Sequence, residues 1–354
     1  MLQPNQLIIH RRPDKQMLAD ANDASLFSLT SSLDAIEHEW RHFEQQADCT
    51  PFQTFDWLST WQRCIGAPAA VTPAIVMGRL KNGELLFILP LAVEQTRFYR
   101  QLVFLGHTLC DYNAPLLAPE FSDVVSPAKF AAWGRSILTF ISQTAGYRHD
   151  VILLNKMPAM VGPQENPLAA LKTMPNPSSA HISHLGKNWD AFYVTKQHSD
   201  RRRRDSSRRK KLAETGELRL VTPTDPTKLQ STLETLFDQK SRAFARMGVT
   251  NLFARPGHSE FFLALAKSPL VHISCLKIGP ERIAAANLAL AHRDRYYQIL
   301  MSYDDGLAQY APGTIHLHEL MRDRIECGYK IFDFTIGDER YKLDWADTTL
   351  KLCD

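Results

Sequence analysis

The chain has 354 residues, a formal net charge of +3, 44% hydrophobic residues and 22% charged residues. This composition excludes fibrous and wholly disordered proteins, and the length allows two domains of ordinary size. Residues 196–211 alone hold nine Lys/Arg against two Asp, a net of +7, so the rest of the chain carries −4. The positive net charge therefore comes from this one segment and is not a property of the whole protein.

The cysteines and the apolar segments indicate the compartment. Six cysteines are scattered singly with no CxxC pair, which argues against a disulfide framework and against a zinc site. The first residues, MLQPNQLIIHRRPDKQ, return to charge too soon for a signal peptide. The longest apolar run, Leu85 to Val93, is nine residues long, which is far short of a membrane span. We therefore expect a cytoplasmic protein with no metal site and no membrane-spanning segment.

The first half of the chain predicts helices followed by strands. Residues 1–24 are polar and predict a flexible N-terminus, and residues 25–160 predict a first domain. Apolar residues at helical spacing indicate one helix within 33–46 and another in FQTFDWLSTWQRCIG. Apolar runs on both sides of an Asn-Gly pair predict a hairpin. A helix that begins at Ser126 and ends at Gly146 then leads into the apolar segment DVILLN, which predicts a buried strand.

The second half repeats this order after a change in composition. Residues 161–180, in a proline-rich stretch, predict a linker, and residues 181–354 predict a second domain. Two helical segments, a hairpin at a Gly-Pro turn, the strand YYQILMSYD, a helix over 314–327 and the strand KIFDFTI follow. Each half therefore predicts two helices, three strands, a helix and a strand. This order predicts the α/β class with a mixed sheet.

Several motifs resemble a known family. SYDDGLAQYAPGTIHLHELM, GYKIFDFTIGDERYKLDWA and RRRRDSSRRKKLAETGEL resemble the Tyr-Asp…Pro-Gly stretch, the closing signature and the Arg-rich opening helix of the CelD/BcsL-type acetyltransferases. That family is a GNAT branch named for cellulose and exopolysaccharide clusters. The resemblance covers nearly the whole chain and implies a tandem GNAT-like acyl-CoA N-acyltransferase fold whose second domain carries the active site. The repeated order of helices and strands is also similar to that of the Fem-type transferases, which use aminoacyl-tRNA. The sequence lacks the long helical insertion of those proteins.

The resemblance places the acyl-CoA donor at the start of a helix, where backbone N–H groups hold a pyrophosphate. The usual superfamily pattern is R/Q-x-x-G-x-G/A, and Gln309 and a displaced Gly313 match it. Tyr303 and Thr314 complete the predicted acyl-CoA-binding set. Pro312 has no N–H to donate. A different acyl donor and a plain Pro-Gly turn that begins the helix therefore stay open.

The segment FDFTIGDERYKLDWAD predicts a strand that leads into a charged cluster. Asp333 lies on a central strand, where a carboxylate is costly to bury unless it is paired or used. We predict it as the general base that accepts a proton from the incoming ammonium. The resemblance implies that Tyr341 protonates the departing thiolate and that Lys342 steadies an anionic substrate or the oxyanion. The alternative is a salt-bridged loop packed under Trp345.

Three further carboxylates, Asp304, Asp338 and Glu339, are predicted to bind the acceptor, although a plain turn is the favoured alternative at Asp304. The resemblance implies an acceptor amine or hydroxyl on a small molecule, an amino sugar or a polysaccharide precursor. Acyl transfer is then direct, without a covalent enzyme intermediate. The sequence leaves the acceptor, the acyl length and the oligomeric state open.

The basic run 196–211 keeps two rival functions open. One is aminoacyl-tRNA-dependent transfer, and the other is non-catalytic nucleic-acid binding or regulation on a degenerate GNAT scaffold. The run lacks interleaved aromatic residues, which argues against a single-strand stacking platform. A solvated helix face or a rim that attracts an anionic substrate is favoured. Metal binding by His316 and His318 is disfavoured, because residues two apart on a helix point in different directions.

Overall fold

The computed structural model describes residues 26–171 and 173–354. The predicted flexible N-terminus, residues 1–24, lies outside the described residues. The chain divides into two compact units. Unit 1 consists of the described residues up to Ser178 together with Lys351–Asp354, and unit 2 consists of Ser179–Leu350.

Unit 1 is built from short helices and a mixed sheet. Its helices are α1 (Glu37–Gln46), α2 (Phe55–Trp61), α3 (Phe121–Val124) and α4 (Pro127–Gln143). Its main strands are β1 (Leu26–Thr30), β2 (Thr72–Arg79), β3 (Leu85–Gln95), β4 (Arg100–Phe104), β5 (Leu116–Leu117) and β6 (Val151–Leu153). Three two-residue strands follow, β7 (Met157–Pro158), β8 (Met160–Val161) and β9 (Gln164–Glu165).

The sheet of unit 1 has the order β1-β2-β3-β4-β6. Its pairs are antiparallel except for β4 and β6, which are parallel and joined through α4. The predicted Asn-Gly hairpin is confirmed as β2–β3. The predicted helix start is confirmed as well, because the Ser126 side chain accepts a hydrogen bond from the Lys129 N–H. The prediction that DVILLN is buried is wrong, because β6 lies at the sheet edge and Val151 to Leu153 are exposed.

Unit 2 has longer elements. Its helices are α5 (Trp189–Lys196), α6 (Ser199–Ala213), α7 (Pro226–Met247), α8 (His258–Leu265), α9 (Pro312–Glu326) and α10 (Arg340–Leu343). Its strands are β10 (Pro175–His184), β11 (Leu218–Val221), β12 (Val271–Ile278), β13 (Arg282–His292), β14 (Arg295–Tyr303), β15 (Ile331–Ile336) and β16 (Thr348–Cys353). Strands β10 and β16 each cross the sequence boundary between the units.

The sheet of unit 2 repeats the arrangement of unit 1. Strands β11, β12, β13 and β14 form an antiparallel series. β14 then pairs in parallel with β15 through α9, and β10 pairs antiparallel with the other edge of β15. The predicted mixed α/β class with a repeated element order is therefore confirmed. None of the helices in the described residues is long and apolar enough to cross a membrane.

Residues 161–180, predicted as a linker, contain ordered structure. They hold part of the β8–β9 hairpin, a 3-10 helix over Pro167–Ala170 and the first half of β10. The side chain of Gln164 donates to a carboxylate oxygen of Asp48 at 2.7 Å and to the Ala118 carbonyl at 2.8 Å. These long-range hydrogen bonds hold the proline-rich segment against unit 1, and the local composition does not reveal them.

Candidate functional site

The parallel strands β14 and β15 separate after a short paired segment. Their pairing runs from Arg295 with Ile331 to Tyr297 with Asp333. Beyond it, β14 continues to Tyr303 while still paired with β13 on its other side. We call the space between residues 298–303 and residues 334–336 the strand gap. It leaves one backbone edge of a central strand without a neighbouring strand, where polar main-chain groups can meet a ligand.

The backbone of β15 is distorted where the strand gap opens. Thr335 has φ 57°, a left-handed conformation that is a genuine outlier for a β-branched residue. Its N–H donates to Oδ1 of Asp333 at 2.8 Å, and its hydroxyl donates to the Gln298 carbonyl at 3.2 Å. Such strain costs about 1–3 kcal/mol and persists only where the surroundings impose it. The two side-chain bonds supply that constraint at the mouth of the strand gap.

Asp333, the predicted general base, is fully buried. Its Oδ2 lies 3.3 Å from a guanidinium nitrogen of Arg295, and its Oδ1 accepts the Thr335 N–H. Both carboxylate oxygens are thus engaged by β14 and by the distorted backbone of β15. These contacts favour the ion-pair role that was the alternative for Asp333, since none of its side chain is exposed to an incoming amine.

Lys342 lies at the end of the strand gap. It is buried on α10, and its Nζ donates to the Ile336 carbonyl at 2.7 Å and lies 3.0 Å from Oε2 of Glu339. Gly337 connects β15 to this turn with φ 123°. A Cβ on Gly337 would lie 2.5 Å from Oε2 of Glu339 and 2.9 Å from Nζ of Lys342. The glycine is therefore required both by its backbone conformation and by the close approach of the two charges.

A second lysine, Lys240 of α7, shares this region. Its Nζ lies 3.4 Å from the carbonyl of Met301 on β14. Burial lowers the pKa of Lys240; Glu339 raises that pKa and Lys342 lowers it further. The structure thus brings the side-chain nitrogens of two lysines and one carboxylate together beside the strand gap. Sequence reasoning missed Lys240, because a lysine on an amphipathic helix carries no local mark of burial.

Tyr341, the predicted acid, packs beside the same turn. Its ring meets the ring of Phe334 at a centroid distance of 6.1 Å and an interplanar angle of 80°. Burial raises the pKa of Tyr341, and Glu339 raises it further. The phenol is therefore protonated at neutral pH, as a proton donor must be. Tyr341 also packs against the hydrophobic cluster that contains Phe334 and Trp345.

The start of α9 is the predicted phosphate loop. Ala311 precedes it with φ 52°, and Pro312 is its first residue. The N–H groups of Thr314 and Ile315 both donate to the Ala311 carbonyl, at 3.0 Å and 3.2 Å. Since proline has no N–H, Gly313 provides the backbone N–H that the first turn can offer to an anion. This loop therefore offers a phosphate fewer backbone N–H donors than a glycine-rich loop does.

The other predicted donor residues surround this turn. A Cβ on Gly313 would lie 3.4 Å from the ring of Tyr303, so the strand end and the helix start are in contact. Tyr303 and Gln309 are exposed, and Thr314 is partly exposed. Tyr303, Gln309, Gly313 and Thr314 therefore lie along one connected segment between β14 and α9.

Two of the predicted substrate carboxylates are engaged within the fold. Oδ2 of Asp304 accepts from two guanidinium nitrogens of Arg282, at 2.9 Å and 2.7 Å, while Oδ1 begins the following 3-10 turn. Oδ1 of Asp338 lies 3.0 Å from Nε2 of His181 on β10. Glu339, in contrast, is 59% exposed. The turn alternative thus accounts for the contacts of Asp304, and Glu339 is the predicted carboxylate that the structure brings to Lys342.

Comparisons with known proteins bear on this geometry. Residues 199–343 match a family model described as an acetyltransferase (GNAT) domain. The match spans the basic helix α6, the strand gap and the turn with Lys342. Within the described residues, no group of three or more His, Cys, Asp or Glu side chains is arranged to hold a metal ion.

Solved structures share the fold of the whole chain. The chain is similar to the structure named FemX, with 11% identity, 89% of this chain and 95% of that chain covered, and a TM-score of 0.61. It is also similar to a conserved protein of unknown function from Bacteroides thetaiotaomicron, with 12% identity, coverage of 92% and 97%, and a TM-score of 0.55. No curated protein matches the sequence. At these identities the likeness shows a shared fold only, in line with the mixed α/β class expected from the sequence.

Proposed function

We propose that unit 2 transfers an acetyl or longer acyl group from acyl-CoA to an amine, or to a hydroxyl. The acceptor class is a small molecule, an amino sugar or a polysaccharide precursor, in line with the resemblance to the CelD/BcsL-type branch. The observation that carries the proposal is the strand gap, in which the Nζ of Lys240 lies at the Met301 carbonyl of β14 and the Nζ of Lys342 at the Ile336 carbonyl of β15. A thioester carbonyl in this gap would develop negative charge beside fixed donors, which is the arrangement that stabilises an acyl-transfer oxyanion.

The proton steps are assigned to three side chains. Lys342 is paired with Glu339 and stabilises the oxyanion. Lys240 in its neutral form is the proposed acceptor of the amine proton, because burial lowers its pKa and so favours the uncharged amine. Tyr341 is protonated and donates to the departing thiolate. Asp333 supports this arrangement through Arg295 and Thr335, and its assignment as a base stays a prediction.

The donor-binding segment is proposed from the residues around the start of α9. The Gly313 N–H and the Thr314 hydroxyl would hold phosphate oxygens, and the amide of Gln309 would add a further donor. Tyr303 would pack against the apolar arm of the donor. Because the first turn offers one backbone N–H, we expect weaker donor binding than a glycine-rich loop gives.

The experiment is a calorimetric titration of the intact chain with acetyl-CoA and longer acyl-CoAs, followed by thiol release with a panel of amines. Gly313→Val should weaken donor binding, because its side chain would crowd Tyr303. Gly186→Val is the matched control in the same unit, since Gly186 is exposed and a Cβ there lies 3.9 Å from its nearest neighbour. Absence of binding at millimolar acyl-CoA would reject the acyl-CoA donor.

Helix α6 supports a second candidate function, aminoacyl-tRNA-dependent transfer. Six of its cationic residues are exposed, namely Arg203, Arg204, Arg208, Arg209, Lys210 and Lys211. A surface of this kind binds phosphate backbones with a strong salt dependence. Tight, salt-dependent binding of tRNA together with no binding of acyl-CoA would favour this candidate. Equal binding of duplex DNA, again without acyl-CoA binding, would favour non-catalytic nucleic-acid binding.

A further inference from the structure

A separate pocket of about 370 Å³ lies in unit 2 among helices α5, α6 and α9. Its volume falls in the range of small-molecule sites, about 300–1,000 Å³. None of the residues assigned above to acyl transfer lines it. We call it the helix pocket. Its chemistry, an aromatic wall next to arginines, is unlike that of the strand gap.

The aromatic wall comes from α5. The rings of Trp189 and Tyr193 are stacked at 5.1 Å with an interplanar angle of 12°. His318 of α9 lies beside them, with its ring 5.1 Å from Tyr193 and 6.0 Å from Trp189. A planar ring system in the helix pocket would meet three flat side chains, and contacts of that kind with aromatic groups contribute about 0.5–1.5 kcal/mol each beyond burial.

A polar group at this wall lacks a partner. Nε2 of His318 is buried, and among the described residues no group forms a hydrogen bond with it. The nearest carboxylate oxygen, Oδ2 of Asp205, is 3.9 Å away and accepts the hydroxyl of Tyr193 at 3.2 Å. Leaving such an atom unsatisfied costs about 1–3 kcal/mol. A ligand with polar ring atoms at the inner end of the pocket would supply the missing hydrogen bond.

The outer part of the helix pocket is positive. Arg202, Arg209 and Arg322 line it, against the carboxylates of Asp205 and Glu319. Arg209 is paired with Glu319 at 2.5 Å, and Asp205 is hydrogen-bonded to Tyr193. The guanidinium of Arg322, with a side chain 53% exposed, bonds Glu326 on its own helix at 3.1 Å. Guanidinium groups suit phosphate because their donors match its oxygens in pairs.

We propose that the helix pocket binds a nucleoside phosphate, with the base against Trp189, Tyr193 and His318 and the phosphate at the three arginines. The aromatic wall accepts a planar base, the unpartnered imidazole nitrogen contacts its polar edge, and the positive rim takes the phosphate. Neither a simple phosphate nor an uncharged ring uses all three features. This inference stands apart from the proposed acyl transfer and does not depend on it.

The test is a calorimetric titration of the intact chain with AMP, GMP, CMP and UMP, and with inorganic phosphate and adenosine as the two halves of the ligand. At least one mononucleotide should bind at least tenfold more tightly than either half. Arg322→Gln should weaken the mononucleotide at least tenfold and leave adenosine unchanged. The matched control, Arg203→Gln, removes an arginine of α6 that is 81% exposed and does not line the pocket, and it should bind like the wild type.

Three results would overturn the proposal: no mononucleotide binding at millimolar concentration, equal binding of inorganic phosphate, or equal losses in Arg322→Gln and Arg203→Gln. Gly313→Val separates this pocket from the donor segment. Mononucleotide binding should persist in that variant, and its loss would move the ligand to the start of α9. His318→Phe keeps a ring in the wall and should change the preference among the bases. If that variant does not fold, the comparison of Arg322→Gln with Arg203→Gln decides whether the proposal holds.

Discussion

The two units contain the same strand–helix–strand arrangement, yet only one of them opens a gap. In unit 1, β4 ends at Phe104, directly after Val103, its last residue paired with β6. In unit 2, β14 continues from Gln298 to Tyr303 after its last pair with β15. In unit 1 the first parallel strand therefore ends where its pairing ends, whereas in unit 2 it continues past its pairing and opens the strand gap.

A lysine follows the second parallel strand in both units, but its surroundings differ. Lys156 of unit 1 donates to the carbonyls of His107 and Cys110, at 3.0 Å and 2.9 Å, and so fastens the loop after β4. Lys342 of unit 2 bonds one strand carbonyl and pairs with the exposed Glu339. The same topology thus uses a lysine for loop structure in one unit and leaves charge beside a gap in the other. The fold alone does not determine a site.

The largest expected effect is on stability, at the ion pair that supports the opened strands. Asp333→Asn should destabilise unit 2 by about 2–3 kcal/mol, because it removes the buried negative charge that faces the guanidinium of Arg295. Urea unfolding followed by tryptophan fluorescence measures this. Asp150→Asn, at the exposed residue before β6 of unit 1, is the control and should change stability by less than about 0.5 kcal/mol. A stable Asp333→Asn variant with lost turnover would restore the base assignment.

Substitution of Lys342 in unit 2 and of Lys156 in unit 1 tests the difference between the two units. Lys342→Met should lower turnover by about 10²-fold, the usual result of removing one oxyanion donor. Lys156→Met should leave turnover unchanged and destabilise unit 1 by about 1–2 kcal/mol, because two carbonyls lose their donor. Thiol release and thermal unfolding measure the two effects. Equal turnover losses in both variants would contradict the assignment of the site to unit 2.

The units should respond to pH in opposite directions. Burial raises the pKa of Glu44 in unit 1 to about 7, so its contribution to stability is present in acid and is lost as the pH rises to 7. Burial lowers the pKa of His272 to about 4 and of His316 to about 3. Their contribution to unit 2 is present above about pH 6.5 and is lost as the pH falls.

Hydrogen exchange at pH 5.5 and pH 7.5 separates the two responses. Between these values, acidification should lower the protection factors, which are corrected for the intrinsic pH dependence of exchange, in β12 and α9 of unit 2 and raise them in α1 and α2 of unit 1. Glu44→Gln keeps an acceptor for the Phe55 N–H and should abolish the unit 1 response only. A change of the same sign in both units would refute the assignment to these groups.

Backbone strain gives a smaller effect. Thr335→Gly relieves the left-handed conformation and should be about 1 kcal/mol more stable than Thr335→Val, which keeps the strain and loses the bond to the Gln298 carbonyl. Thr335→Gly should still lower turnover, since the strand gap loses a constraint. Ala70→Gly, at an exposed residue of unit 1 with φ 56°, should stabilise the protein and leave turnover unchanged. Unchanged turnover in Thr335→Gly would separate the strain from the site.

The smallest expected effect concerns the basic helix. The double variant Arg203→Gln, Arg204→Gln should change stability by less than about 1 kcal/mol, because both side chains are exposed. It should lower turnover more at low salt than at high salt, since surface attraction is screened beyond about 10 Å at 0.1 M. Arg201→Gln is the contrasting variant, because Arg201 pairs with Asp344 at 2.6 Å. A large fall in melting temperature for the double variant would show a structural role for the outer face of α6.

Several features of the fold were predictable because they are local. The Asn-Gly hairpin and the Ser126 cap depend on residues a few positions apart. The match of residues 199–343 to an acetyltransferase (GNAT) family model agrees with the GNAT part of what the motifs indicated, and the CelD/BcsL-type branch stays a prediction. The exposure of β6 was not predictable, since an apolar run does not reveal whether its strand is central or at an edge.

The sequence by itself determined the element order, the class of fold and the segment that follows β15. Only the tertiary structure decided which charges meet. Asp333 is held by Arg295 of a neighbouring strand, and Lys240 reaches β14 from a helix far away in the sequence. Periodicity and caps report interactions along the chain, whereas burial and pairing depend on elements that meet in space. The charges at the strand gap therefore follow from the packing of α7, β14 and β15.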